Sequence, residues 1–342
     1  MPKAKCIDVH SHVLPREMLE AIRQRPRDYR MRIDGAGDQQ RFVRDDKHST
    51  PLFAEFYDAD AKVEGMDRKG IDISVISPTP FIFFYWLADD VALAAARVIN
   101  DGIARMAAAR PDRLRGMATL PMQNADAAVA ELERVVREHG FRAVEVGCTV
   151  QGQQLSEPRF RPVLKRAQEL GVFFFAHPHF AGAVRPDLGC YYLANLVGHP
   201  LDTVVMAAHL MFSGTLDELP GLKIVLAHGG GYLPYQIGRL AHGYEVRKEP
   251  KAHNAKPPLE LLRRFYCDAL THDATALRFL IERVGADRVV LGTDAPYDMG
   301  EEHPLAMLDA LPGLSAEQRE RILGLNALQL LDEHQVAADP HA

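Results

Sequence analysis

Histidine and aspartate side chains follow four short apolar segments of this 342-residue chain. His10 and His12 stand one residue apart at the first segment, and on an extended chain residues two apart point to the same side. His177, His228 and Asp294 follow three later apolar segments. Imidazole nitrogens together with a carboxylate are the ligands that a borderline divalent metal such as zinc prefers. The spacing therefore indicates a metal site with room for a reactive water molecule.

Two features of the same segments leave alternatives open. A lone histidine is more often an ordinary buried residue than a ligand, and His179 lies as close to the end of its segment as His177 does. Glu145 ends the fourth segment, a position where barrels with two metals carry a bridging Lys or Glu. Because no Lys stands there, we expect a single metal ion.

Strand-like and helix-like segments alternate along the chain. Segments with the apolar periodicity of helices lie at residues 58–69, 91–109, 125–138, 159–170 and 273–284. The strand-like segments are residues 5–9, 71–76, 115–120, 143–146, 171–176, 223–227, 265–267 and 288–291. Eight strand–helix units predict an α/β fold, a closed (β/α)8 TIM barrel, whose active site would lie at the carboxyl ends of the strands. A doubly wound open sheet is the alternative, but no GxGxxG follows the first segment.

The chain is expected to form a single domain over residues 1–342. Residues 15–57 are polar and irregular and form a predicted insertion between the first strand and the first outer helix. Such an insertion either shapes a lid or pocket or is a disordered surface loop. The tail at residues 332–342 is polar and is predicted to fray.

Composition excludes several functional classes. The 40 basic and 46 acidic residues give a formal net charge of −6, which supplies no basic surface for nucleic acid or an anionic membrane. The four cysteines form no CxxC motif, which favours a reduced intracellular setting. Without a signal peptide or a long apolar segment, we expect a soluble cytoplasmic protein.

Four ordered motifs resemble the amidohydrolase superfamily and, more narrowly, its metal-dependent decarboxylase branch, to which the aminocarboxymuconate semialdehyde decarboxylases belong. The motifs are Asp8-Val-His10-Ser-His12, Ala176-His177-Pro178, Ala227-His228-Gly-Gly-Gly231 and Gly292-Thr-Asp294, with Asp268 at the seventh strand. The resemblance implies that one divalent metal ion is held by His10, His12, His177 and Asp294. It implies zinc more than manganese, because the manganese relatives begin with Glu-x-His.

The resemblance also implies the reaction and two further roles. His228 would be the acid/base group beside a metal-bound water, with Asp294 as a catalytic ligand. Arg239 would bind the carboxylate of a small substrate at the interface of a homodimer. The reaction would release CO2 from an aromatic carboxylic acid or a muconate-semialdehyde-type ring-cleavage product. The chain departs from its relatives at Thr50, where they have an Arg, and Arg44 or Lys47 would have to replace it.

The chemistry of the residues allows a second class of reaction. The chain has no recognisable thiamine or pyridoxal motif, so a metal and an acid/base histidine would have to replace an organic electron sink. The same groups suit a hydrolase or hydratase acting on a C–N, C–C or C=C bond. A non-catalytic metal-binding protein is a third hypothesis, disfavoured because an acid/base residue accompanies the ligands. Analysis of the products separates the first two hypotheses, because a decarboxylase releases CO2 whereas a hydrolase or hydratase consumes water.

Three groups of residues fall outside these roles. The aromatic residues at positions 81–86 are predicted to pack under the insertion, with lining a substrate pocket as the alternative. His209 lies in an apolar helical segment and is predicted to be buried. His242, one turn from Arg239, is predicted to be on the surface, with contact to substrate or to a partner subunit as the alternative.

Overall fold

The computed structural model describes residues 5–44, 48–179 and 186–332. The strands, in chain order, are β1 (Ile7–Val13), β2 (Met31–Asp34), β3 (Arg41–Arg44), β4 (His48–Pro51), β5 (Ile73–Pro78), β6 (Leu114–Gly116), β7 (Ala143–Gly147), β8 (Thr149–Val150), β9 (Gln153–Gln154), β10 (Phe173–His177), β11 (Ile224–Leu226), β12 (Phe265–Asp268) and β13 (Val289–Val290). The helices are α1 (Arg16–Gln24), α2 (Pro26–Tyr29), α3 (Ala59–Lys69), α4 (Asp89–Ala109), α5 (Ala125–His139), α6 (Arg161–Leu170), α7 (His199–Phe212), α8 (Thr215–Glu218), α9 (Leu233–Val246), α10 (Pro258–Leu262), α11 (Ala274–Val284), α12 (Pro304–Asp309), α13 (Ala316–Glu320) and α14 (Asn326–Leu331).

Eight of these strands form a closed parallel barrel. They pair in two runs, β1-β5-β6 and β13-β12-β11-β10-β7. Backbone hydrogen bonds join the runs at both ends: Val9 N donates to Leu291 O beyond β13 (3.0 Å), and Glu145 N of β7 donates to Ala118 O beyond β6 (2.8 Å). The predicted (β/α)8 barrel is therefore confirmed.

Side-chain alternation along the barrel strands divides the core into two layers. In β10, Phe173 and Phe175 belong to the cluster that fills the barrel, together with Val225 of β11. Phe174 belongs to the larger cluster that includes the surrounding helices. Since residues two apart share a face, the next inward position of β10 is His177, at the carboxyl end of the barrel.

The outer helices begin and end where local sequence signals predict. The side chains of Asp58, Asn124 and Asp273 accept backbone hydrogen bonds at the starts of α3, α5 and α11. Gly140 and Gly171 end α5 and α6 in the left-handed conformation. No described helix is long and apolar enough to cross a membrane.

The insertion after β1 is more ordered than its polar sequence predicts. Met18, Leu19 and Ile22 form a buried face of α1, and β2, β3 and β4 form an antiparallel sheet. The predicted irregular segment is thus a small folded unit. Its sequence is mostly polar because apolar residues are needed only on the face that packs against the barrel. The order of the insertion was therefore not predicted from its composition. Lys47 and all of the predicted frayed tail except residue 332 lie outside the described residues.

The aromatic residues at positions 81–86 pack against this insertion, as predicted. The rings of Phe81 and Phe42 lie 5.6 Å apart and those of Phe84 and Tyr29 lie 5.4 Å apart. The guanidinium of Arg44 lies 4.7 Å from the centre of the ring of Trp86. The insertion is therefore fixed to the carboxyl-end rim of the barrel.

Candidate metal centre

Four side chains from three barrel strands converge at the carboxyl end of the barrel. His10 and His12 come from β1, His177 ends β10, and Asp294 follows β13. One ligand atom of each residue lies within 4.8 Å of the others, and all four residues are buried. The structure thus brings together the four ligands that the resemblance implied.

A β-bulge aims the two histidines of β1 inward. Relative to β5, β1 contains an extra residue between Asp8 and Ser11, and a bulge of this kind re-aims the side chains that follow it. Ile7, before the bulge, and Val9, within it, face the barrel interior. His10 and His12 face the same way, and their ring centres lie 5.1 and 5.0 Å from that of His177.

The spacing of the ligand atoms fits a divalent cation. His10 Nε2 and His12 Nε2 are 3.1 Å apart, and Asp294 Oδ1 lies 3.3 and 3.0 Å from them. Metal–nitrogen bonds of about 2.0–2.1 Å in a tetrahedron require separations of about 3.3 Å between ligand atoms. His177 Nε2 is buried without a hydrogen-bond partner, which a bound cation would supply.

The protonation states of two ligands suit metal binding. Burial lowers the pKa of His12 to about 4 and the pKa of His177 well below its ordinary value, so both imidazoles are neutral at neutral pH. Burial also disfavours the charged form of His10, but Asp294 and Asp268 outweigh it and raise its pKa to about 10. A metal ion at this centre must therefore displace the proton of His10.

Hydrogen bonds to the outer ring nitrogens orient the histidines. His10 Nδ1 donates to Asp268 Oδ2 at 2.7 Å, and His177 Nδ1 lies 2.7 Å from the carbonyl oxygen of Pro178. Both contacts leave Nε2 pointing into the centre, as metal-bound histidines require. At Gly292 a Cβ would lie 2.9 Å from the Cβ atoms of His10 and Asp268, so a side chain there would disturb this pair.

A buried lysine that was not predicted from the sequence donates hydrogen bonds to the backbone of the ligand-bearing segments. Lys62 of α3 is 1% exposed, and its Nζ donates to the carbonyl oxygens of His12 at 3.0 Å and Ala295 at 3.1 Å. It therefore fixes the backbone that carries one histidine ligand and the residue after Asp294. Its position inside a helix offers no motif by which the sequence could reveal this contact.

His228 lies beside the ligands rather than among them. Its ring centre is 4.9 Å from that of His177, and its Nε2 lies 3.6 Å from Asp294 Oδ2. The residue adopts a left-handed backbone conformation with φ +55°, and Asp268 accepts hydrogen bonds from the backbone nitrogens of His228 and Gly229. Its side chain is 19% exposed, so it can meet a substrate.

Glu145 is next to the ligands but outside their group. Its carboxylate oxygen lies 3.8 Å from His12 Nδ1, and burial raises the pKa of Glu145 well above its ordinary value. Glu145 is therefore not one of the four ligands of the described centre, and a single metal ion stays a prediction.

The remaining singled-out residues lie away from the cluster. His179 packs against the rings of Phe83 and Tyr85. Arg239 and His242 are exposed on α9, as predicted for His242. The prediction that His209 is buried is wrong, because the residue lies on the exposed face of α7; the apolar residues around it fill the opposite face.

Comparisons with known proteins agree with this geometry. A family model described as amidohydrolase matches residues 7–332. The chain is 33% identical over 328 residues to 2-amino-3-carboxymuconate-6-semialdehyde decarboxylase of Dictyostelium discoideum, covering 95% of this chain and 91% of that protein.

Two solved structures share the fold over almost the whole chain. Apo IDCase from Metarhizium anisopliae has a TM-score of 0.84 at 24% identity, with 96% of this chain and 97% of that chain covered. Dihydroxybenzoic acid decarboxylase from Polaromonas sp. JS666, solved with manganese and the inhibitor 2-nitroresorcinol, has a TM-score of 0.78 at 26% identity, with 96% and 97% covered.

Proposed function

The chain belongs to the amidohydrolase family, in its metal-dependent decarboxylase branch, and on this premise we propose that it releases CO2 from an aromatic carboxylic acid or a muconate-semialdehyde-type ring-cleavage product. The observation that carries the proposal is the buried group of His10, His12, His177 and Asp294 beside His228. The Dictyostelium relative is named for a muconate semialdehyde and the Polaromonas enzyme for a dihydroxybenzoic acid, which supports both substrate types.

We propose zinc as the cation, because three imidazoles and one carboxylate form the donor set. A divalent cation held there would act as a Lewis acid that polarises a substrate oxygen. The Polaromonas enzyme contains manganese, so manganese is the alternative to test.

His228 is proposed to move the proton that replaces CO2. Its Nε2 is close enough to Asp294 to act at the metal centre, and its side chain is partly exposed. It would deliver a proton to the carbon that carries the carboxylate; that carbon keeps the electron pair of the broken C–C bond, and CO2 leaves. Burial would raise the pKa of Asp294, but its contacts with His10 and His12 hold this pKa well below its ordinary value. Asp294 therefore remains an anionic ligand.

Arg239 is proposed to bind a substrate carboxylate in the active site of a partner subunit. Within its own chain the residue is exposed on α9. Large apolar side chains are also exposed on this helix and on α7, including Tyr235 (78%) and Val205 (37%). An exposed apolar patch beside an arginine is typical of a protein interface, which supports a homodimer.

A product analysis tests the proposal. The zinc-loaded protein is incubated with carboxylated muconates, salicylates and resorcylates bearing an isotopic label in the carboxyl group. Labelled CO2 and a product lighter by CO2 are expected from at least one compound. Without labelled CO2, a single product heavier by one water would instead identify a hydratase, and two fragments whose masses add up to substrate plus water would identify a hydrolase.

A further inference from the structure

His199 is a second imidazole beside the metal centre, in addition to His228. It begins α7, and its ring centre lies 6.4 Å from that of His177 and 6.5 Å from that of His228. These two rings are themselves 4.9 Å apart. His199 therefore forms one corner of a triangle with a metal ligand and the proposed acid/base residue, although it is not part of the ligand group.

The triangle lies on the accessible side of the centre. The side chains of His10 and His12 are fully buried, whereas those of Asp294 and His228 are 9% and 19% exposed. A substrate must approach along these exposed atoms. His199 is also half-buried, and its ring is stacked beside that of His228, with the ring centres 6.5 Å apart.

A neighbouring amide sets the tautomer of His199. Nδ2 of Asn195 lies 3.4 Å from Nδ1 of His199, one turn earlier in the chain. With the Asn195 amide in this orientation its nitrogen donates and Nδ1 accepts, and a neutral imidazole then carries its proton on Nε2. Burial, assisted by His228, lowers the pKa of His199 to about 4, in agreement with a neutral ring.

We infer that His199 is a substrate-binding residue whose Nε2–H donates a hydrogen bond to an oxygen atom of the carboxylated substrate. The inference rests on the proposed decarboxylase function. His199 would help to orient the substrate against His228, and Asn195 would be the residue that positions this donor.

Two matched His→Phe substitutions test the kinetic consequence. His199→Phe keeps a ring of similar size and removes the donor, while His253→Phe makes the same change at an exposed position between α9 and α10. With the carboxylated compound that the wild-type protein turns over, we expect His199→Phe to lower kcat/KM by about 10–100-fold, largely through KM, with metal content unchanged. His253→Phe should match the wild type. An unchanged kcat/KM in His199→Phe, or loss of its metal, would overturn the inference.

A second measurement needs no substrate. NMR of the zinc-loaded protein with isotope-labelled histidine distinguishes the two neutral tautomers, and the signal of His199 is the one that disappears in His199→Phe. We expect the Nε2–H tautomer in the wild type and a larger Nδ1–H fraction in Asn195→Ala. An Nδ1–H tautomer in the wild type would overturn the inference. If no carboxylated compound releases CO2, the proposed function fails, while this result still decides the donor.

Discussion

His10 donates from Nδ1 to the carboxylate of Asp268 at 2.7 Å, and both side chains are fully buried. The same carboxylate accepts hydrogen bonds from the backbone nitrogens of His228 and Gly229. Asp268 thus couples the orientation of a metal ligand to the turn that presents the proposed acid/base residue. Burial alone would raise its pKa, but the contact with His10 holds the pKa of Asp268 below its ordinary value, so it remains an anion.

Asp268→Asn is therefore expected to weaken the metal site. The amide keeps the size of the side chain but removes the charge that fixes the Nδ1–H form of His10. Substitution of a residue that hydrogen-bonds a metal ligand typically lowers metal affinity about 10–100-fold. Competition with a chromophoric chelator measures this loss, and Asp273→Asn at the N-cap of α11 is the matched control. Equal affinity in the two variants would contradict this role of Asp268.

Lys62→Met is expected to lower both the stability of the protein and its affinity for the metal. The substitution removes the donor to the carbonyl oxygens of His12 and Ala295 while keeping most of the side-chain volume. The carbonyl oxygen of His12 would lose this donor, at a cost of about 1–3 kcal/mol, whereas that of Ala295 keeps a hydrogen bond from the backbone nitrogen of His12 at 2.7 Å. Denaturant unfolding should show lower stability, and chelator competition should show weaker metal binding. Lys165→Met, on the exposed face of α6, should change neither; a Lys62→Met protein with wild-type values would refute the role.

Metal binding is expected to release a proton and to tighten with rising pH. In the metal-free protein, Asp294 and Asp268 overcome the effect of burial and hold the pKa of His10 at about 10, so His10 is protonated at neutral pH. The metal must displace this proton, and affinity should rise as pH increases toward 10. The free energy of unfolding of the metal-free protein changes in the opposite direction. The stabilisation that it gains from protonated His10 is fully present below about pH 6.5 and is lost as the pH rises through 10.

Calorimetry in buffers of different ionisation enthalpy counts the released protons. About one proton per metal ion is expected at pH 7.5. No release, together with affinity independent of pH, would show that His10 is already neutral and that its pairing with the two carboxylates is weaker than the distances indicate.

His228→Asn should lose catalysis and keep the metal. General acid/base catalysis by a positioned histidine typically contributes 10²–10⁴-fold, roughly 3–5 kcal/mol. Because His228 lies outside the ligand group, elemental analysis should show wild-type metal content in the variant while kcat falls by about that factor. A metal-free variant would make His228 a ligand, and a fully active one would remove its proton-transfer role.

Arg239 is expected to act across the dimer. Arg239→Ala should lower kcat/KM for a carboxylated substrate without changing metal content, because a paired hydrogen bond to the carboxylate is lost. Co-expression of Arg239→Ala chains with His228→Asn chains tests whether Arg239 acts in the partner's site. Mixed dimers contain one site with both residues intact and should regain activity that neither variant has alone. Absence of recovery, with mixed dimers demonstrated, would exclude the action of Arg239 in the partner's site.

The sequence predicted the barrel and a metal site at its rim for a physical reason, whereas the choice of the four ligands came from the family resemblance. Apolar strand cores and Gly or Pro at helix ends are local signals, and barrel topology brings strand ends to one rim. The bulge that turns His10 and His12 inward depends on pairing with β5 and leaves no local signal. His199 likewise reaches the centre through the packing of α7, and Lys62 through the packing of α3, so neither could be recognised from spacing.

A metal titration of the metal-free protein, with CO2 release as the readout, tests the account most directly. Activity is expected to rise with added zinc and to level off at about one ion per chain, and His177→Ala should show no such rise, whereas His179→Ala should follow the wild type. CO2 release without metal would contradict a metal-dependent reaction. A plateau near two ions per chain would contradict the single-metal centre and bring Glu145 into the ligand set.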